Sequence, residues 1–221
     1  VILMIESQAR VQRLPYQRKK LVLLFSAMRH YAEQFRSSGY QVDYQVSPST
    51  IFAIKQHLQS HRPKIIFTMA ASEFGGRKFQ EDLERQFNIP VTVLKNTQFL
   101  TGRFNTYPDP LPYKRYVQEQ FYRKMRQHFN LLMKEEGEPI GGRWNFDKDN
   151  RRRLPKGALP LRPISFEPDE ITTAVMREID QKYPGVGQAT GFDLAVTHQQ
   201  AKQAAVDFFD RRLVDFGAYE D

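Results

Sequence analysis

Basic and aromatic side chains that could bind nucleic acid lie together in the middle of this sequence. Residues 113–126 contain the runs Tyr-Lys-Arg-Tyr and Phe-Tyr-Arg-Lys-Met-Arg, and helical spacing would place Arg115, Tyr122 and Arg126 on one face. Arginine binds phosphate oxygens and tyrosine stacks on bases. The predicted nucleic-acid contacts are Arg115, Tyr122, Arg123, Arg126, Arg151, Arg152 and Arg153. A basic face that contacts only solvent is the alternative.

The single tryptophan lies in an irregular segment. Residues 141–150 read Gly-Gly-Arg-Trp-Asn-Phe-Asp-Lys-Asp-Asn, which does not form a continuous helix or strand. We predict that Trp144 is largely buried and fixes this segment on an α/β layer. A second interpretation is that the segment faces another domain or DNA. The residues at this interdomain position are Arg143, Trp144, Asn145 and Asp147.

The sequence contains no self-contained catalytic centre. It has no cysteine, which excludes disulfides, thiolate catalysis and cysteine-ligated zinc or iron–sulfur clusters within these residues. We find no phosphate-binding glycine loop, nucleophile elbow or paired-carboxylate signature, and Glu73 to Arg77 predicts a tight turn into a helix. His57 and His61 share a helix face without a nearby carboxylate motif, which favours an exposed helix surface over a zinc site. No catalytic residue and no metal site are therefore predicted.

Alternating hydrophobic runs predict an α/β fold, a Rossmann-like doubly wound parallel sheet with a C-terminal helical extension. On the helix predicted at residues 18–38, Ser26, His30 and Glu33 form a polar stripe that faces solvent or, alternatively, a ligand or a second domain. Short β-branched runs predict strands at residues 1–6, 41–46, 64–68 and 91–95. Amphipathic spacing predicts helices at 18–38, 50–60, 77–87 and 113–134.

The second half of the chain changes character. Residues 137–163 carry scattered proline and glycine among basic residues, so this stretch reads as an ordered linker. Helices are expected to begin near Pro168 and after a capping box formed by Thr197 and Gln200. We therefore predict an α/β domain at 1–136, a linker at 137–167 and a helical extension at 168–221.

The net charge and the hydropathy of the sequence indicate which kinds of partner the protein can bind. The formal net charge of +8 favours polyanions, because clustered lysine and arginine release counterions from a phosphate backbone. No apolar run approaches the roughly 20 residues needed to span a bilayer, so we expect a cytoplasmic protein with no membrane partner.

Three segments carry a resemblance to a known family. They are residues 19–30 (KKLVLLFSAMRH), 121–125 (FYRKM) and 141–150 (GGRWNFDKDN), with further similarity at residues 216–217 and 220–221. The chain resembles the deoxyribodipyrimidine photolyase-related family, the prokaryotic photolyase/cryptochrome proteins that carry an iron–sulfur cluster. The similar segments run in order through nearly the whole sequence.

The resemblance implies an N-terminal antenna-chromophore or regulatory domain with its linker, followed by a helical domain, outside this sequence, that binds FAD, an iron–sulfur cluster and damaged DNA. The parent protein would be a flavoprotein of light-dependent DNA repair, of the (6-4) type, or a blue-light receptor, and this part alone would not be catalytic. Lumazine-binding members have an acidic residue and a tyrosine where this chain has Arg10 and Arg13, whereas Glu6 is identical. The implied antenna pocket therefore consists of Glu6, Arg10 and Arg13.

Two other function classes compete with this interpretation. A basic α/β module that binds RNA or DNA without photochemistry is the second candidate, because the positive charge and the basic and aromatic cluster also suit it. An adenine-nucleotide-binding enzyme is less favoured, because no loop that could hold phosphates is present.

Overall fold

A computed structural model describes residues 1–109, 111–149, 153, 155–157 and 161–217. These residues contain eight α-helices and four β-strands, which confirms the mixed α/β class. They divide into two compact units, one drawn from residues 1–62 and 152–220 and the other from 63–151.

The first unit contains β1 (Ile2–Ser7), α1 (Gln8–Val11), α2 (Arg18–Ser37), β2 (Val42–Ser47) and α3 (Thr50–His61). The second unit contains β3 (Ile66–Met69), α4 (Phe74–Phe87), β4 (Val91–Leu94) and α5 (Gln118–Phe129), with 3₁₀ turns at Leu100–Gly102 and Asp147–Asp149. The first unit is completed by α6 (Glu170–Lys182), α7 (His198–Arg211) and α8 (Leu213–Phe216).

Each unit has a two-stranded parallel sheet. Strand β1 pairs with β2, Ile2 opposite Val42, and strand β3 pairs with β4, Ile66 opposite Val91. Parallel neighbours need a crossover connection, and α2 and α4 lie in these connections. The four predicted strands are confirmed within two residues at each end. Their union into one doubly wound sheet stays a prediction.

Local sequence signals explain where the main helices begin. The Gln17 side chain accepts a hydrogen bond from Lys20 N at the start of α2. At the start of α7, Thr197 and Gln200 form the predicted capping box, in which each side chain bonds to the backbone of the other end. The helix predicted near Pro168 is α6, and Asp169 caps it by accepting a bond from Thr172 N.

The core of the first unit joins residues from both ends of the sequence. Helix α2 packs on α6, and Leu21, Val22, Val175 and Ile179 are each at most 1% exposed. The surrounding buried side chains are Val11, Phe25, Tyr183, Ala189, Phe192 and Val196. Helix α6 is therefore part of the core that covers α2, although the sequence assigned it to a helical extension.

The segment that follows α6 approaches the start of α2 closely at Gly185. Arg18 N donates to Val186 O at 2.9 Å, and Val186 N donates to Tyr16 O at 3.1 Å. A Cβ atom at Gly185 would lie 2.5 Å from the Tyr16 carbonyl oxygen, which is shorter than any real contact of this kind. Only glycine therefore fits this backbone crossing without a shift.

We expect Gly185→Ala to lower the free energy of unfolding by about 1 to 3 kcal/mol, because the added methyl group forces the two backbones apart. Urea denaturation followed by far-UV circular dichroism measures this. Gly217→Ala is the matched control, since nothing lies within 4 Å of its added Cβ, and its effect should stay within about 0.5 kcal/mol. Equal effects of the two substitutions would contradict the close approach.

Helix α5 is shorter than predicted. It spans Gln118–Phe129, and the chain leaves the helix at Asn130, whose φ is 50°, and again at Leu132, whose φ is 55°. Backbone bonds from Lys134 N to Glu138 O and from Ile140 N to Leu132 O then form a short hairpin. The prediction of a helix over 113–134 is wrong at both ends, because the apolar spacing continues past the residues at which the backbone turns.

Candidate functional site

Arg126 on α5 is a buried structural residue. It is 7% exposed, and its guanidinium donates to the carbonyl oxygens of Leu131, at 3.0 Å, and Leu132. It also donates to the Tyr122 hydroxyl at 2.8 Å. These bonds satisfy carbonyl groups just beyond the end of α5 and occupy the guanidinium of Arg126 in this conformation, so the nucleic-acid contact at Arg126 stays a prediction.

Trp144 packs on the same side of α5. The guanidinium carbons of Arg123 and Arg126 each lie 5.3 Å from the Trp144 ring, a cation–π arrangement. The ring is partly exposed. These contacts support the prediction that Trp144 fixes the irregular segment. The partners of the ring are arginines of α5, and the ring is less completely buried than predicted.

The segment around Trp144 is held by local bonds. Arg143 pairs with Asp149, and its guanidinium carbon lies 4.3 Å from the Phe146 ring. Asn145 Oδ1 accepts a bond from Asp147 N at 2.8 Å, which is a typical turn of asparagine. A surface cavity of about 480 Å³ lies beside these residues. It is lined by Gln118, Glu119, Tyr122, Trp144, Asn145, Phe146 and Asp147.

The remaining predicted nucleic-acid residues are dispersed. Arg115 is exposed and precedes α5, so it does not share a helix face with Tyr122. Arg123 and Tyr122 are exposed on α5, and Arg123 pairs with Glu119 at 2.9 Å. Arg153 is exposed and belongs to the first unit. Arg151 and Arg152 lie outside the described residues.

A buried ionic network lies at the carboxyl end of β1. Arg29 donates to both oxygens of Glu6 at 2.8 Å and to Glu178 at 2.7 Å. The Tyr44 hydroxyl donates to Glu6 as well. The Glu6 side chain is 0% exposed, and that of Arg29 is 22% exposed. We call Glu6, Arg29, Tyr44 and Glu178 the Glu6 network.

The network perturbs the ionisation of its members. Its Glu6 carboxylate raises the pKa of Arg29 above its usual value. Burial, and then the same carboxylate, raise the pKa of Tyr44. For Glu178 burial acts upward, but the bonds from Arg29 and Lys182 outweigh it and hold the pKa of this carboxyl below its usual value. Arg29 therefore stays charged and Tyr44 stays protonated near neutral pH.

The structure does not assemble the implied antenna pocket. Both oxygens of Glu6 are engaged in the Glu6 network, whereas Arg10 lies exposed on α1 and Arg13 lies exposed beyond it. A chromophore that bonds to Glu6 would have to break a buried ion pair. These three residues therefore do not fit a lumazine-type group in this conformation.

Two of the three positions of the polar stripe on α2 are shielded from solvent, and one of them, His30, contacts residues at the start of α6. Ser26 is 0% exposed, and His30 Nε2 lies 3.2 Å from Asp169 and 3.4 Å from the Thr172 hydroxyl. Glu33 pairs with Arg36. A cavity of about 730 Å³ borders this stripe, with His30, Tyr31, Gln34, Thr197 and His198 in its wall. The solvent-facing interpretation is therefore wrong for Ser26 and His30.

A third cluster was not predicted. His57 on α3 is 8% exposed, and its Nδ1 lies 2.6 Å from Asp43 Oδ2 on β2. Burial raises the pKa of Asp43, but the bonds from His57 and Gln45 outweigh it, so the pKa lies below its usual value. The expected exposed helix surface is wrong at His57. The available signal was Asp43, which lies on a strand that runs beside the histidine helix.

None of the helices in the described part of the chain combines the length and hydropathy that a bilayer-spanning segment needs.

The fold and the Glu6 network define a mixed α/β protein in which side chains of α2 and α6 meet a parallel strand pair at the carboxyl end of β1. Residues 1–194 match the deoxyribodipyrimidine photo-lyase-related protein family. The chain belongs to that family.

Two relatives illustrate the match. A (6-4) photolyase from Agrobacterium fabrum is 33% identical over 230 aligned positions, which cover 100% of this chain and 45% of that protein. An uncharacterized protein of Acanthamoeba polyphaga mimivirus is 28% identical over 146 positions, which cover 62% of this chain and 71% of that protein. The chain therefore spans somewhat less than half the length of the (6-4) photolyase.

Proposed function

We propose that this chain is the N-terminal regulatory part of a photolyase-related flavoprotein that acts in light-dependent repair of (6-4) DNA lesions. The observation that carries the proposal is the match of the whole chain to 45% of a (6-4) photolyase, together with membership of the family. Repair chemistry in this proposal belongs to a further helical domain that holds FAD and an iron–sulfur cluster. This chain supplies a scaffold and contacts to that domain.

The proposed architecture is a Rossmann-like α/β domain. The parallel pairs β1–β2 and β3–β4, each connected through a helix, are the units from which a doubly wound sheet is built, and this supports the assignment. The proposed boundaries are a domain at 1–136, a linker at 137–167 and helices at 168–221. Packing of α6 on α2 would then hold the end of the linker against the α/β domain.

A light-harvesting role is proposed on family membership alone. Because Glu6 is buried and bonded, we assign no lumazine contact to Glu6, Arg10 or Arg13. The proposed interdomain contacts are Arg143, Trp144, Asn145 and Asp147, beside the cavity on α5.

A chimaera tests the repair function. The segment of the Agrobacterium fabrum (6-4) photolyase that matches this chain is replaced by this chain, and repair of an oligonucleotide with a (6-4) lesion is followed in light and in darkness. We expect bound FAD, seen by its absorbance, and repair only in light. A chimaera that binds FAD at full stoichiometry but repairs no faster in light than in darkness would contradict the proposed function.

We also expect weak, sequence-independent DNA binding by Arg115, Arg123 and the basic run at residues 151–153. On duplex DNA the logarithm of the association constant should fall with the logarithm of salt concentration by roughly 0.9 for each phosphate contacted. Fluorescence anisotropy of a labelled duplex over a range of salt concentrations measures this slope. The double variant Arg115→Ala/Arg123→Ala should have a shallower slope.

Arg85→Ala is the control for this measurement, because Arg85 lies on α4 of the same unit with 83% of its side chain exposed. It should leave the slope nearly unchanged. A salt-insensitive affinity, or equal slopes for the double variant and the control, would show that these arginines do not contact phosphate. Replacement of residues 151–153 by alanine tests the second basic run separately.

A further inference from the structure

Two histidines and an aspartate converge between β2 and α3. His57 and His61 are one helical turn apart on α3, and their rings stack with centroids 4.5 Å apart. Asp43 Oδ2 lies 2.6 Å from His57 Nδ1 and 3.8 Å from His61 Nδ1. One ligand atom from each residue lies within 4.8 Å of the other two.

The cluster is shielded from solvent and incompletely bonded. The side chains of Asp43, His57 and His61 are 18%, 10% and 24% exposed. Nδ1 of His61 is buried and has no hydrogen-bond partner. A buried nitrogen without a hydrogen-bond partner lowers the stability of the fold unless another group binds it. Nδ1 of His61 faces Asp43 Oδ2, the oxygen that His57 already contacts.

Gln45 completes the surroundings of this cluster. Its amide nitrogen donates at 2.7 Å to Asp43 Oδ2, the oxygen that His57 also contacts, so it helps to fix the orientation of the carboxylate. Its own carbonyl oxygen is buried without a partner. Such an oxygen could accept a bond from a water molecule held by an ion. Outer contacts of this kind orient ligands and raise metal affinity.

We propose that Asp43, His57 and His61 bind a divalent transition-metal ion, with Zn²⁺ as the best match. Two imidazole nitrogens with one carboxylate oxygen suit Zn²⁺, whereas Mg²⁺ and Ca²⁺ prefer sets made of oxygen. Tetrahedral zinc places its ligand atoms about 3.4 Å apart at bond lengths of about 2.1 Å. Small side-chain rotations therefore bring the three atoms to this spacing, and water takes the fourth position.

The site lies apart from the Glu6 network and does not depend on the proposed function. Asp43 and Gln45 lie on one face of β2, and Tyr44, which joins the Glu6 network, lies on the other, as the alternation of a strand requires. A bound ion joins α3 to β2. Because only the folded chain places the three ligands together, the ion stabilises the first unit.

Metal titration of the whole chain, purified without a histidine tag and stripped with a chelator, tests the proposal. We expect calorimetry to give one Zn²⁺ per chain, a higher Tm with Zn²⁺ than without it, and the visible absorption of tetrahedral Co²⁺. His61→Ala and Asp43→Asn should each weaken binding by more than the roughly 10- to 100-fold that loss of an outer contact causes, and Gln45→Ala should fall within that range.

His198→Ala is the control, because His198 is an exposed histidine in the same unit. It should keep full affinity. If His61→Ala does not fold by circular dichroism, His61→Gln, which retains the size of the side chain, replaces it. Unchanged Zn²⁺ affinity in the two ligand variants, absence of the tetrahedral Co²⁺ spectrum, or equal loss in the control would each overturn the proposal.

Discussion

Arg29→Met is expected to lower the free energy of unfolding by about 3 to 5 kcal/mol at neutral pH. The reason is that the Glu6 carboxyl remains in a site where its side chain is 0% exposed, while its ion-pair partner is gone. Removal of one member of a buried ion pair typically costs this much, even where the intact pair adds little net stability. The Tyr44 hydroxyl alone cannot compensate a buried carboxylate.

Urea denaturation of the purified variant measures the effect. Arg36→Met is the matched control on the same helix, because the Arg36–Glu33 pair is exposed, with side chains 40% and 55% accessible, and such pairs contribute about 0 to 1 kcal/mol. The double variant Glu6→Gln/Arg29→Met should recover part of the loss, because the buried carboxyl without its partner is removed. An Arg29→Met effect no larger than that of Arg36→Met would show that Glu6 is not confined as described.

The second large effect is expected at Ile179. Ile179→Ala should cost about 2 to 5 kcal/mol, because the side chain is 0% exposed in the core between α2 and α6 and truncation leaves a cavity there. The same substitution would be nearly neutral if residues 168–221 formed a loosely attached extension. The result therefore reports directly on whether α6 belongs to the core of the first unit.

Val206→Ala supplies the comparison, since Val206 is 49% exposed on α7. Its effect should stay within about 0.5 kcal/mol. Denaturant titrations monitored by far-UV circular dichroism measure both variants. If Ile179→Ala unfolds at the same urea concentration as Val206→Ala, the packing of α6 on α2 is not a source of stability.

Features that depend on neighbours in sequence were predictable. The capping box at Thr197 and Gln200 follows from side chains that bond to backbone groups three residues away, and the structure has it. The strands follow from short β-branched runs bounded by turn residues. The first predicted strand, residues 1–6, differs from Ile2–Ser7 by one residue at each end.

Features that depend on distant residues were not predictable in the same way. Helical spacing places Arg126 among exposed cations, but the turn at Asn130 brings two carbonyl oxygens within its reach and buries it. The partners of Glu6 lie 23 and 38 positions away for Arg29 and Tyr44, and no periodicity connects them. The sequence showed that His57 and His61 share a helix face. It did not show that the strand containing Asp43 packs against that face.

The contacts at the start of α2 bear on the order in which the chain folds during synthesis. Arg18 bonds to Gly187, which is 169 positions away, and Lys19 bonds to Gly191, which is 172 positions away. In the second unit, Asn96 reaches Ala70 over only 26 positions. Contacts between distant positions form slowly, because a long loop must close first. On the ribosome, residues 63–149 can therefore acquire their contacts before the first unit is complete, because α2 keeps an uncovered apolar face until α6 and the segment after it emerge.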